Sequence, residues 1–201
     1  HLFVLGTPSY TPKSLYPLHS FSILMTHKKF KGLLLDFDNC LYEYSLCNKL
    51  ALDAVILFLL GKTNKSKEEL IELFHDSRKE VKEYTKNTAS SHSRLLYFKH
   101  LVERIYKKTD PHLIYELHDL FWDSYIKNIE LYDGVIEFLV YLKSKDIKTA
   151  IITDLTADIQ LKKFKHIELH NYIDFLITSE EAGFDKPHKN IFEIALKKLN
   201  L

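Results

Sequence analysis

Apolar residues at the start of the chain come in short runs broken by glycine and proline. His1 to Leu5 ends at Gly6-Thr7-Pro8, which predicts a strand closed by a turn. Residues 9–24 carry Pro12 and Pro17 and have the composition of a linker. Leu33-Leu34-Leu35 follows Gly32 and is too short for a helix, so it reads as a strand buried on both faces.

From residue 42 to 130 the spacing becomes helical. Leu46 to Leu60 is a largely apolar stretch ended by Gly61, which predicts a buried helix. Ser66-Lys67-Glu68-Glu69 has the form of a capping box, and Leu70, Ile71, Phe74, Val81 and Tyr84 recur on one face behind it. A third helix carries Leu95, Leu96, Phe98, Leu101, Val102 and Ile105. A fourth starts at Asp110-Pro111 and turns Leu113, Ile114, Leu117, Leu120 and Phe121 inward. Four amphipathic helices with short joins predict a bundle.

Past residue 130 the pattern alternates. A helix runs from Tyr132-Asp133-Gly134 to about Lys145, and a β-branched strand follows from Ile147 to Thr153. Then come a helix from Ala157 to His166, a strand from Asp174 to Thr178 and a helix from Pro187 to Leu199. This alternation predicts an α/β fold with a parallel sheet and right-handed crossovers, into which the helical block 42–130 is inserted. Residues 25–41 and 131–201 would form the core.

Composition narrows the function classes. The chain has 201 residues, 46% hydrophobic and 27% charged, enough for a substantial core. A net charge of +1 leaves no electrostatic footprint for nucleic acid or an anionic membrane. The longest apolar run, Ala54 to Leu60, falls far short of a bilayer span, and no cleavable leader opens the chain. Cys40 and Cys47 match neither a zinc knuckle nor a redox pair, so a reducing, cytoplasmic setting is expected. His166 and His170 have metal-ligand spacing but no accompanying acid, and read as surface residues. The chain opens on His1, and its one methionine is Met25. A natural start at Met25 is one reading; the other assigns residues 1–24 to an upstream domain.

The chemistry lies at strand ends. Asp36 and Asp38 follow Leu35 at spacing i, i+2, where open α/β sheets place ligands. Two acids so close repel, and a hard divalent cation or opposed protonation states would reconcile them. Thr153 closes the Ala150-Ile151-Ile152 run and offers a hydroxyl and adjacent amides to a phosphate oxygen. Lys186 sits in Glu180 to Pro187, read as a loop after another strand and just before a helix start, where it can neutralise phosphate charge.

In this order the three segments resemble the haloacid dehalogenase superfamily of hydrolases. Leu33 to Asp38 matches its first motif, Ala150 to Thr153 its second, and Gly183 to Pro187 its third. The resemblance covers residues 30–201 and implies a Rossmann-like core with a helical cap, similar to the N-acylneuraminate-9-phosphatase and nucleotidase-like branch. It implies Asp36 as the nucleophile forming an aspartyl-phosphate and Asp38 as the acid and base. Asp36 and the Asp38 carbonyl would ligate Mg²⁺, while Thr153 and Lys186 would hold phosphoryl oxygens. Phe37, Asn39 and Asp154 would flank the substrate. The second acid implies phosphate esters over carbon–halogen bonds, hence a phosphatase acting on a small phosphorylated metabolite such as a sugar phosphate or nucleotide.

Cys40 stands where the superfamily usually has Thr or Val. The superfamily's fourth motif, acids after a further strand, has no counterpart before Leu201, which would leave Leu33 to Leu35 on an open edge. In the inserted block, Thr88 to Arg94 is a small polar stretch suited to touching the leaving group, with Arg94 as an anion binder; helix capping by Ser91 or Ser93 explains it equally well. His1 to Pro8 also resembles the tail of sugar-1-phosphate nucleotidyltransferases, which implies fusion to such a domain. The rival readings are a non-catalytic docking module and a sugar-phosphate mutase.

Overall fold

The computed structural model describes residues 30–201 and the backbone of Leu2–Leu5. The turn at Gly6-Thr7-Pro8, the linker at 9–24 and the start at Met25 lie outside the described residues. Four strands, β1 (Leu2–Leu5), β2 (Gly32–Leu35), β3 (Lys148–Thr153) and β4 (Phe175–Thr178), form one parallel sheet in that order.

The expected open edge at β2 is therefore not there. β1 pairs with β2 in register, Leu2 against Gly32 through Leu5 against Leu35, and β3 covers the other side. The strand predicted at His1 to Leu5 forms over Leu2–Leu5 and supplies the backbone partners that β2 would otherwise lack.

Alternation along each strand divides the core between two faces. Leu34, Ala150, Ile152 and Ile177 point to one side, where helix α8 (Lys189–Leu199) buries Ile191, Ala195 and Leu199 against them. Leu33, Leu35 and Ile151 point to the other and join the larger cluster that includes Leu139 and Leu142 of α5 (Val135–Ser144) and Ile159 and Phe164 of α6 (Ala157–His166). Leu34 is wholly buried, and truncating such a side chain to Ala costs about 2–5 kcal/mol.

Four long helices stand between β2 and β3: α1 (Tyr44–Leu60), α2 (Lys67–Tyr84), α3 (Arg94–Tyr106) and α4 (Pro111–Lys127). α1 packs on α4 and α2 on α3, around Phe74, Phe98, Phe121 and Trp122. The capping box forms as expected: Glu69 N–H donates to Ser66 Oγ at 3.1 Å, and Ser66 N–H to Glu69 Oε2 at 2.7 Å. Asp110 caps α4, with Pro111 in its first turn.

Two expectations need correction. α1 is not buried all round: Cys47, Ala51, Val55, Ile56 and Leu59 face inward, while Leu46, Leu50 and Leu57 are exposed. The segment after β4 is not a plain loop, because Thr178 caps the one-turn helix α7 (Ser179–Ala182), which ends at Gly183 in a left-handed conformation. A 3₁₀ turn, Ala89–His92, also forms in the polar stretch between α2 and α3. His166 and His170 are exposed, the first ending α6 and the second in a separate 3₁₀ turn.

Candidate active site

β2 ends at Leu35, and the chain then turns sharply. Cys40 N–H and Leu41 N–H both donate to Phe37 O, and Asn39 takes a left-handed φ of 60°. The turn leaves Asp36, Asp38 and Asn39 lining a cleft of about 320 Å³ between the sheet and the inserted helices. Thr153 and Asp154, from the end of neighbouring β3, line the same cleft, and so does Lys186. Four catalytic candidates thus converge from three separate segments, 150 residues apart in sequence at the extremes (186 − 36).

Lys186 is fixed at three points. Its Nζ lies 2.7 Å from Asp36 Oδ1 and donates to Ile152 O at 3.1 Å, and its backbone N–H donates to Asp154 Oδ1 at 2.8 Å. The Lys186–Pro187 peptide is cis. Burial pushes Asp154 above the usual carboxylate range, with the Lys186 contacts opposing. Leu155, next in line, adopts φ 131°, a conformation side chains rarely take, and its N–H donates to the buried Ser179 Oγ at 3.0 Å.

Asp38 is held differently. Lys163 Nζ lies 3.0 Å from its Oδ1 and 3.3 Å from its Oδ2, and the Tyr42 hydroxyl donates to Oδ1. Lys163 has no exposed side-chain surface and sits over the ring of Tyr125, 4.8 Å from its centroid. Burial raises the Asp38 pKa, but Lys163 and Tyr42 outweigh it and hold the carboxyl below its ordinary value. Gln160 Nε2 donates to Thr153 Oγ1 at 2.7 Å and comes within 3.5 Å of Asp38 Oδ2.

The other predicted residues divide. Asn39 lines the cleft and its Oδ1 caps α1 by accepting from Tyr44 N–H at 3.0 Å. Phe37 does not reach the cleft: its ring is fully buried, edge-on to Tyr42, and only its backbone N–H, donating to Asp36 Oδ1 at 2.7 Å, touches the site. Arg94 lines the cleft, but its guanidinium is buried and donates to His92 O, Tyr44 Oη and Asn48 Oδ1, ringed by Tyr44, Tyr97, Phe121 and Trp122. Its hydrogen bonds serve the helical layer. Ser93, beside it, caps α3. Burial, with Asp36 nearby, pushes the Cys40 thiol up to about 11.

Sequence reasoning passed over Tyr42, Gln160 and Lys163. A signal existed for the last two: they follow Thr153 by seven and ten residues, at i, i+3 on α6, which puts both on the helix face below the strand end. It also passed over Asp185, whose Oδ2 lies 3.2 Å from both Ser91 Oγ and His92 Nε2 and ties the Lys186 loop to the 3₁₀ turn.

The sequence profile of the haloacid dehalogenase-like hydrolases matches residues 30–201. The chain belongs to this family. Among its curated relatives, a ribulose-1,5-bisphosphate 5-phosphatase of Halopiger xanaduensis is 35% identical over 171 residues, covering 84% of this chain and 71% of that protein. A glyceraldehyde 3-phosphate phosphatase of Methanocaldococcus jannaschii is 28% identical over 172 residues, covering 85% and 72%. The fold is that of the family's solved structures as well. A 2-haloacid dehalogenase from Pseudomonas syringae superposes with a TM-score of 0.67 at 20% identity, covering 86% of this chain and 74% of that one. A haloacid dehalogenase-type phosphatase from Thermococcus onnurineus gives 0.65 at 23%, covering 86% and 73%. Among the described residues of this hydrolase, no helix is long and apolar enough to cross a membrane.

The oxygen donors suit a hard cation in part. Asp36 offers a carboxylate, and Asp38 can offer its carbonyl, since Lys163 and Tyr42 occupy its side chain. Among the described residues no cluster of three or more His, Cys, Asp or Glu side chains stands together. A Mg²⁺ ion here would keep much of its water, as that ion commonly does.

Proposed function

We propose that this hydrolase cleaves phosphate monoesters of small, sugar-like metabolites through an aspartyl-phosphate on Asp36. The observation that carries this reading is the Asp36–Lys186 contact of 2.7 Å beside Thr153 and Asp38, in a cleft roofed by helices. The activities for which these two relatives are named, both phosphatases of phosphorylated sugars, point the same way.

Lys186 and the Thr153 hydroxyl bind phosphoryl oxygens and offset their charge. An Asp36 oxygen attacks phosphorus as the bond to the alcohol oxygen breaks. Asp38 gives that departing oxygen a proton, then takes one from the water that attacks the aspartyl-phosphate, so that phosphate and free Asp36 are regenerated. The ion pair with Lys163 favours ionised Asp38, the form that activates water, and the proton-donating step works against it. Bound through Asp36 and the Asp38 carbonyl, Mg²⁺ would supply charge neutralisation at the phosphoryl oxygens. Closure of the helical layer over a bound substrate would expel water from the cleft.

The test is phosphate release from a panel of small esters, with Mg²⁺ and with EDTA, for the wild type and Asp36→Asn. Turnover that needs metal and falls to background in Asp36→Asn is expected. Undiminished turnover in folded Asp36→Asn would sink the reading.

A further inference from the structure

The cleft is not evenly charged. Its acids are answered at the sheet end: Asp36 by Lys186, Asp38 by Lys163, and Asp154 by the Lys186 backbone. On the roof, α2 contributes Arg78 and Lys82 to the lining. They are i, i+4 neighbours on one helix face, an arrangement in which like charges repel. Among the described residues neither forms an ion pair. Arg78 is steadied by the neutral Tyr97 hydroxyl, and Arg94 lies behind with only neutral acceptors. Burial, Arg78 and Arg94 together lower the Lys82 pKa, with Asp185 opposing, as expected where positive charge is in excess. A single scissile phosphate is already served by Lys186 and Thr153, which leaves Arg78 and Lys82 with no anion within ion-pair distance among the described residues.

We infer that the substrate carries a second anionic group, a phosphate or carboxylate distal to the scissile ester, and that Arg78 and Lys82 receive it. Arg78 can grip such a group with two parallel N–H donors, while Lys82 acts as a point charge. This rests on the phosphatase reading and narrows it to doubly anionic esters. The pair would read the leaving group, because it lies on the roof, opposite the strand ends.

The test uses two matched pairs, glycerol 3-phosphate with 3-phosphoglycerate and ribose 5-phosphate with ribose 1,5-bisphosphate. The first pair adds a carboxylate and the second a phosphate, so the preferred anion is read directly. In the wild type the second anion should raise kcat/KM roughly ten- to hundredfold in at least one pair, the worth of a charge-assisted hydrogen bond. In Arg78→Gln/Lys82→Gln that ratio should collapse toward one, and in the wild type it should shrink as salt rises from 50 to 500 mM, which shortens the screening length about threefold. A wild-type ratio of one or less in both pairs, or a ratio the double variant and salt leave unchanged, overturns the inference. Should no ester be cleaved, the phosphatase reading fails separately. Calorimetry with ribose 1,5-bisphosphate then decides: binding lost in the double variant upholds the anion site, and no binding to the wild type overturns it.

Discussion

The Lys163 ammonium, with no exposed side-chain surface, lies 3.0 Å from a carboxylate oxygen of Asp38. Aromatic side chains close around it: the ring centroids of Tyr125, Trp122, Phe37 and Tyr42 lie 4.8, 5.4, 5.9 and 6.0 Å from Nζ. A charge so enclosed is tolerable because Asp38 pairs with it and the ring faces are negative. The pair thus links a second helix, α6, to the acid that the proposed chemistry needs.

Lys163→Met removes one partner of this pair. Breaking a buried ion pair costs about 3–5 kcal/mol, and the lower end is expected because Asp38 also reaches the cleft. Urea unfolding would show the loss, and adding Asp38→Asn to Lys163→Met should recover part of it. Recovery would be absent if Lys163 acted only through packing.

Asp185 ties the loop of Lys186 to the 3₁₀ turn of the helical layer. It accepts from Ser91 Oγ and pairs with His92, and its own N–H donates to Asn87 O at 2.9 Å. Asp185→Ala leaves these donors without their acceptor, a cost of about 1–3 kcal/mol. KM for a good substrate should rise more than kcat falls, since the loosened turn borders the cleft. Equal changes in both constants would locate the effect at Lys186 instead.

His92 supplies the pH dependence. Burial lowers its pKa from 6.5, and Arg94 and Lys82 add to this while Asp185 opposes. Its folded value is depressed, so between 6.5 and that lower value the unfolded chain binds more protons. Stability from this group is therefore full above pH 6.5 and is lost as pH falls through that window. Thermal melts of His92→Gln should fall less than wild type between pH 7 and 5; parallel curves would exclude His92 as the source.

Ser179→Ala should act on the strained turn after Thr153. Its Oγ accepts the N–H of Leu155 at 3.0 Å, so the variant leaves a buried donor unpaired at a cost of about 1–3 kcal/mol. Leu155 is then free to relax from φ 131°, and Thr153 and Asp154 shift with it. Activity should fall further than the loss of stability accounts for, a comparison made at a temperature where both proteins are folded. Ser179→Thr, which keeps the hydroxyl, should retain more of both.

Much of this molecule was legible in the sequence because local rules govern it. Periodicity placed the four long helices and three strands of the described core, and the Ser66 and Asp110 caps marked helix starts within a residue. Asp36, Asp38 and Thr153 could be picked out because each stands at or just past a strand end, and a parallel sheet collects such ends on one edge; Lys186, eight residues beyond β4 and past α7, was marked by the Gly183 to Pro187 motif. The exposed leucines of α1 could not be foreseen: a largely apolar helix carries little mark of which face its neighbours cover.

The sequence by itself determined the order of elements and the acids, hydroxyl and lysine that the sheet gathers, since strand and helix periods and turn residues act over a few positions. Tertiary structure alone decided the rest. It set β1 against β2, closed an aromatic enclosure on Lys163, turned Arg94 inward and left Arg78 and Lys82 facing the cleft. Each of these depends on which distant surfaces meet. A lysine on an isolated helix has the same local pattern whether it ends in water or beside a carboxylate 125 residues away (163 − 38).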